Sequence, residues 1–167
     1  MYLKRTGFTI VELLIVIVVI GILAAITIVA YNGIQNRTHD TAIQSDLRNL
    51  ASKVREFQAI NGRLPSLDMG STGDFSQIKP SVTKDSYGAH YEPTTGSHNL
   101  IYCLSGDQFV FVAASKSGNV YKYSSTTGLD AGVGPLVTYT TTCENNGLNS
   151  VGAWLYQASN WHPWVNG

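Results

Sequence analysis

The chain is short of charge. Asp, Glu, Lys and Arg make up 13% of its 167 residues, and acids and bases cancel to a formal net charge of +0. That excludes the basic footprint of a nucleic-acid-binding domain. Catalytic groupings are lacking too. His39, His90, His98 and His162 are scattered without metal-ligand spacing, and Asp130 has no neighbouring acids. There is no Gly-x-Ser-x-Gly, phosphate loop or His-Glu-x-x-His. The sequence therefore predicts no enzyme, no cofactor and no metal. Cysteine is scarce, with two in the whole chain. The low charge has two sources: an apolar N-terminus, and a Ser/Thr/Asn/Gly-rich remainder of the kind found on extracellular surfaces.

What the sequence does have is at its start. Lys4 and Arg5 precede a long apolar run, and the next basic residue is Arg37. From Leu13 to Tyr31 only Gly21 and Thr27 interrupt the run. A secretory signal has an apolar region of about 7–15 residues, which is shorter. As a helix, Phe8 to Tyr31 reaches about 36 Å, enough to cross the hydrocarbon core of a bilayer. The positive-inside rule keeps the N-terminus in the cytoplasm and exports the rest. A plain anchor fits this hydropathy, but it leaves Glu12 unexplained. A charge at the bilayer centre costs about 2.5–3.5 kcal/mol, and less near the edge.

Lys4-Arg5-Thr6-Gly7, then Phe8-Thr9-Ile10-Val11-Glu12-Leu13-Leu14, then Gly21-Ile22-Leu23-Ala24-Ala25-Ile26 resemble the N-terminus of type IV pilins and of the pseudopilins of secretion and DNA-uptake systems. The resemblance implies cleavage by a prepilin peptidase between Gly7 and Phe8, followed by N-methylation of the Phe8 amine. It is strong over Met1 to Tyr31 and looser to about Gly62. Many pilins carry a helix-kinking proline where this chain has Val29, which puts a kink there in doubt. After cleavage the Phe8 ammonium needs a partner. Glu12 lies one turn along, and in a staggered filament Glu12 of one subunit would meet the Phe8 amine of the next, setting the axial register. The bland alternative is a Glu12 hydrated at headgroup level.

Past Tyr31 the helix is expected to continue and turn amphipathic, with Ile43, Leu47, Leu50, Val54 and Phe57 on one stripe. Gln44, Asp46, Arg48, Lys53, Arg55 and Glu56 are assigned to its wet faces. Asn61-Gly62 followed by Pro65 supplies the stop. Residues 62–98 read as a long connection with little regular structure. Leu100–Leu104 and Phe109–Ala113 read as a hairpin about Ser105-Gly106-Asp107, and Val120–Tyr123 as a third strand after Ser117-Gly118-Asn119. A fourth strand is predicted over Leu136 to Thr141. The whole is an α+β, pilin-like fold: a long N-terminal helix on a small antiparallel sheet of about four strands. Its parts are a leader (1–7), a transmembrane and filament-core helix (8–31), the amphipathic continuation (32–61), the connection (62–98) and a sheet head (99–167).

Cys103 and Cys143 both fall in the exported part, where an even pair reads as one disulfide. The alternative is two buried free thiols. Trp154, Tyr156, Trp161 and Trp164 crowd the end of the chain, either as a surface for a partner or as a cover over the core. The functional expectation is a structural filament subunit whose partners are other copies of itself, minor pilins, the prepilin peptidase, the inner-membrane assembly platform and, before assembly, lipid. Nothing in the sequence supports a nucleic-acid partner. The rivals are a pseudopilin of a secretion or competence machine and a membrane-anchored binding protein that never polymerises.

Overall fold

The computed structural model describes residues 7, 9–68, 70–88, 90–92, 96–131, 136, 139–148, 152–154, 156–157 and 160–167. Of residues 90–92, 96–97, 139–140, 152–154 and 156–157 it describes the backbone. The chain divides into two compact units, Met1–Asn36 and Arg37–Gly167.

Helix α1 spans Ile10–Asn61 and is helical through Gly21, Val29, Asn32 and Gly33. With no proline to remove a backbone donor, the ladder has no forced break at Val29. In the first unit the helix is apolar on every side and its large side chains are exposed, from 48% at Val19 to 84% at Ile10. The Thr27 hydroxyl turns inward and donates to the Ala24 carbonyl at 2.9 Å, so the polar group is satisfied within the helix.

In the second unit α1 becomes one-sided. Ile43, Leu47, Leu50, Val54 and Phe57 are all buried, joined by Ala51. Each aliphatic side chain fully buried contributes about 1.5–3 kcal/mol of transfer free energy. The wet-face assignment fails at Asp46, which is 6% exposed. Its partners come from far along the chain and satisfy the carboxylate inside the protein. The helix ends as expected: Gly62 has φ +69°, its amide donates to Gln58, and Asn61 Nδ2 caps the Phe57 carbonyl at 2.9 Å.

The segment expected to be irregular holds α2 (Asp74–Ile78), a 3-10 turn (Lys84–Ser86) and a two-stranded ribbon, β1 (His90–Glu92) with β2 (Gly96–His98). It also supplies Leu64, Phe75, Val82 and Tyr87 to the core. A main sheet follows, built from β3 (Leu100–Ser105), β4 (Gln108–Ala114), β5 (Val120–Ser124), β6 (Gly128–Ala131) and β7 (Gly152–Trp154). Its order is β6-β5-β4-β3-β7 and every pairing is antiparallel, so the sheet has five strands where about four are expected. Gly106 and Gly118, with φ of +56° and +92°, make the turns that the sequence marks.

Strands β3 and β4 are buried on both faces. Leu100, Tyr102, Phe109, Phe111 and Ala113 join α1 and Phe75 in one core. The alternate residues Ile101, Cys103, Val110 and Val112 form a second core with Leu136, Cys143 and Leu148. That second layer replaces the predicted fourth strand: residues Tyr139–Asn145 form helix α3 instead. Leu136 and Cys143 are buried under the sheet, and this tertiary packing overrides the β preference of a Val/Thr/Tyr-rich run. The chain ends with β8 (Tyr156–Gln157) paired to β9 (Asn160–Trp161), and a bridge from Asn166 to Ser81.

Candidate functional site

The start of α1 is built around two polar residues. Thr9 is the last residue before Ile10, and Glu12 is in the first turn. The Thr9 amide and hydroxyl both donate to Glu12 Oε2, at 2.8 and 2.7 Å, and the Glu12 amide donates back to the Thr9 hydroxyl at 3.3 Å. The Thr9 carbonyl accepts the Leu13 amide at 3.4 Å. This is a capping box, which satisfies amides that the first turn of a helix leaves without partners. The pattern Thr-x-x-Glu before an apolar run was legible in the sequence, and reading Glu12 only as half of an ion pair missed it. Gly7 is exposed, and a Cβ there would meet nothing within 4 Å. Lys4, Arg5 and Phe8 lie outside the described residues, so the cleavage junction is described on its Gly7 side.

From Leu13 to Tyr31 the helix offers apolar surface on every side. It is long and apolar enough to cross a membrane. Ile10, Leu13, Leu14, Ile17 and their neighbours are half exposed or more, and none of the buried core residues falls before Ile43. An apolar surface of this extent on every side of a helix needs lipid or other helices around it.

Polar contacts brace the second unit. Asp46 Oδ2 accepts the Thr83 amide at 2.6 Å and the Tyr87 hydroxyl at 3.2 Å. Burial raises its carboxyl above the ordinary value, against the pull of the Thr83 and Tyr87 hydrogen bonds. Burial also pushes the Tyr87 phenol up, helped by the Asp46 charge. Asp40 accepts from the Ser117 hydroxyl and from Asn119 Nδ2, which pins the β4–β5 turn to α1. Burial opposes the Asp40 charge, but the hydrogen bonds from Ser117, Ser115, Asn119 and Tyr121 win and its carboxyl falls below the ordinary value. Arg63 forks onto Asp74 at 2.6 and 2.9 Å, and the Ser66 amide adds a third bond at 2.6 Å. The Arg63 hydrogen bond, outweighing burial, holds the Asp74 carboxyl at about 2.

Cys103 on β3 and Cys143 on α3 are joined as a disulfide with Cα atoms 5.5 Å apart, and both are fully buried. The partner-surface assignment fails at Trp164. It is buried, stacked on Phe75 at 6.0 Å and on His162 at 5.0 Å between ring centres. Trp161 is half-buried and packs edge-on against Tyr87 at 5.0 Å. These rings close the core, as apolar area of that size prefers. The side chains of Trp154 and Tyr156 lie outside the described residues. Among the described residues no three His, Cys, Asp or Glu side chains are grouped to hold a metal ion.

An apolar helix long enough to cross a membrane, with a capped start, an amphipathic continuation and a small antiparallel sheet, defines a pilin-like α+β architecture. A family model for the prokaryotic N-terminal methylation motif matches residues 3–28. Over 123 residues the chain is 28% identical to the type II secretion system core protein G of Klebsiella michiganensis, covering 73% of this chain and 83% of that one. Over 120 residues it is 30% identical to fimbrial protein EcpB of Eikenella corrodens, covering 70% and 71% respectively. A 30% identity over 81 residues links it to core protein G of Pectobacterium carotovorum, across 48% of this chain and 47% of that protein. No solved structure matches. The chain belongs to the type IV pilin and pseudopilin family.

Proposed function

We propose that this chain is a structural subunit of a type IV pilus-like filament, stored in the cytoplasmic membrane and polymerised through α1. The observation that carries this reading is the uncovered apolar helix. From Ile10 to Ile34 its large side chains are 48–84% exposed. In the membrane, lipid covers them. In a filament, the helices of other subunits replace the lipid, so one surface serves as anchor and as filament core.

In this reading residues 1–7 are a leader held at the cytoplasmic face by Lys4 and Arg5. Prepilin peptidase cuts between Gly7 and Phe8, and the new Phe8 amine is methylated. That amine then meets Glu12 of a neighbouring subunit. A charge pair is directional where apolar contacts slide, so it sets the stagger. The pairing partner exists only after the cut, which makes leader removal the switch for assembly. Minor pilins and the inner-membrane assembly platform are the remaining partners.

A second reading, a pseudopilin in a type II secretion machine, is favoured by the similarity to the two core proteins G. Electron microscopy of cells expressing the chain, with mass spectrometry of the sheared material, separates the two. Long surface fibres containing this subunit support a pilus, and subunit confined to a short periplasmic structure supports the secretion reading. The mature mass is the sharper test of processing: an uncut Met1, or a cut elsewhere than Gly7-Phe8, sinks both.

A further inference from the structure

Arg37, Arg48 and Arg55 follow one another on α1 at spacings of 11 and 7 residues. Those spacings are close to whole numbers of helical turns, so the three stand in one row about 27 Å long. All three are exposed. The carboxylate one turn along from Arg37 is otherwise engaged. Asp40 is held by Ser117 and Asn119. Arg55 leans on its own head, with its guanidinium 5.8 Å from the centre of the Tyr123 ring. Arg37 and Arg48 form no ion pair with a carboxylate among the described residues.

The rest of the second unit has the opposite balance. Residues 62–167 contain five bases against seven acids. Asp74 is committed to Arg63, Asp130 pairs with Lys122 at 3.6 Å, and Asp68 accepts the Gly70 amide. Asp85, Asp107 and Glu144 remain exposed and form no ion pair among the described residues, and of these Asp107 and Glu144 are both tied to β3. Asp107 sits in the β3–β4 turn. Glu144 follows Cys143, whose disulfide to Cys103 fastens α3 to the strand that leads into that turn.

We propose that the Arg37–Arg48 face of one subunit docks on the Asp107–Glu144 surface of a second copy of this chain. The inference rests on the filament reading above and names the surface through which the heads meet. Guanidinium groups match carboxylates in a planar, two-pronged geometry, so such pairs select one arrangement of heads. Charge complementarity of this kind fixes register and disfavours misaligned contacts.

The test uses the full chain in cells that contain its assembly machinery. Arg37→Glu with Arg48→Glu is expected to lower sheared filament by at least about tenfold, because like charges then face each other. Asp107→Lys with Glu144→Lys is expected to do the same, and combining all four substitutions is expected to restore filaments. The mass of each variant reports leader removal and the disulfide, and so shows that it is processed and folded. Should a reversal variant fail to fold, Arg37→Gln with Arg48→Gln serves in its place, with a smaller loss expected. The proposal is overturned if correctly processed reversal or neutral variants assemble at the wild-type level, or if the fourfold combination gives no recovery. Normal filaments that have lost retention of double-stranded DNA would also overturn it, assigning the row to a polyanion. If the wild-type chain itself forms no filaments, the filament reading falls first and this proposal falls with it.

Discussion

The amide and the hydroxyl of Thr9 converge on a single oxygen of Glu12, at 2.8 and 2.7 Å. The carboxylate that the filament reading assigns to a neighbouring amine is therefore already at work inside its own helix. Both bonds from Thr9 fall on Oε2, which leaves Oε1 as the oxygen suited to an incoming ammonium. A cap of this kind contributes about 1 kcal/mol to helix stability. Fixing the Glu12 side chain also lowers the entropy lost when a partner binds it.

The two roles of Glu12 separate under substitution. Glu12→Gln keeps an acceptor for the Thr9 amide but has no charge, whereas Glu12→Ala removes both. Both variants are expected to be exported and cleaved, and both are expected to lose filaments. Thr9→Ser keeps the cap and is expected to assemble. Counting sheared filaments beside the mature mass checks all three. Wild-type assembly of Glu12→Gln would reduce Glu12 to a capping residue.

Arg63 and Asp74 supply an acid-sensitive brace. The folded carboxyl is held at about 2 against an ordinary 3.8, so the folded state binds this proton less tightly than the unfolded chain. Its stabilising contribution is complete above the ordinary value and is lost as pH falls from there through the folded value. Arg63→Gln leaves the buried Asp74 charge without its cation and is expected to destabilise the fold at neutral pH. The double variant Arg63→Gln with Asp74→Asn is expected to cost less than that single change. Denaturant titrations of the detergent-solubilised protein between about pH 6 and about pH 2.5 measure both. A loss of equal size for Arg63→Gln at both ends of that range would break the assignment.

Much of this architecture was readable from pattern. The stripe Ile43, Leu47, Leu50, Val54 and Phe57 is buried to the last residue, because packing on a sheet needs only the helical period. The three strands and their glycine turns lie where local chemistry puts them. What escaped depends on distant residues. Asp46 reads as a surface acid until Thr83 and Tyr87, 37 and 41 residues away, are brought to it. Residues 136–141 read as a strand because nothing local says that the other face of β3 needs a cover. Trp164 reads equally as a partner surface or as a cover until Phe75 is placed beneath it. The Thr9–Glu12 cap is different in kind: its Thr-x-x-Glu pattern is local and needs no distant residue.

Asp46 responds to pH in the opposite sense from Asp74. Burial raises its folded carboxyl above the ordinary 3.8, so the folded state holds this proton more tightly than the unfolded chain. That contribution is present at low pH and disappears as pH rises through the raised value. Asp46→Asn removes the cost of a buried charge while keeping an acceptor for the Thr83 amide. It is expected to match or exceed wild-type stability near neutrality and to lose that advantage on acidification. Asp46→Ala strips the acceptor from the Thr83 amide and the Tyr87 hydroxyl, at a cost of about 1–3 kcal/mol. Equal destabilisation by Asn and Ala near neutrality would show that the charge is not the costly feature.

The Cys103–Cys143 bond closes a sequence separation of 40 residues, and the chain-entropy model assigns about 4 kcal/mol to such a loop. Its effect should not be uniform, because the sheet serves two cores. The core between α1 and the sheet contains neither cysteine, whereas the other core, with Leu136 and Leu148, contains both. Without the bond, α3 loses its covalent tie to β3 and keeps the packing of the second core, to which Leu136, Leu148 and the cysteine side chains belong. Cys143→Ser, or reduction of the wild type, is therefore expected to release residues 136–148 first. Hydrogen exchange in that segment should rise to a local-opening rate, while β3, β4 and the Ile43–Phe57 face of α1 keep their protection. Loss of protection in both cores together would mean that the disulfide supports the whole head and that the two layers unfold as one.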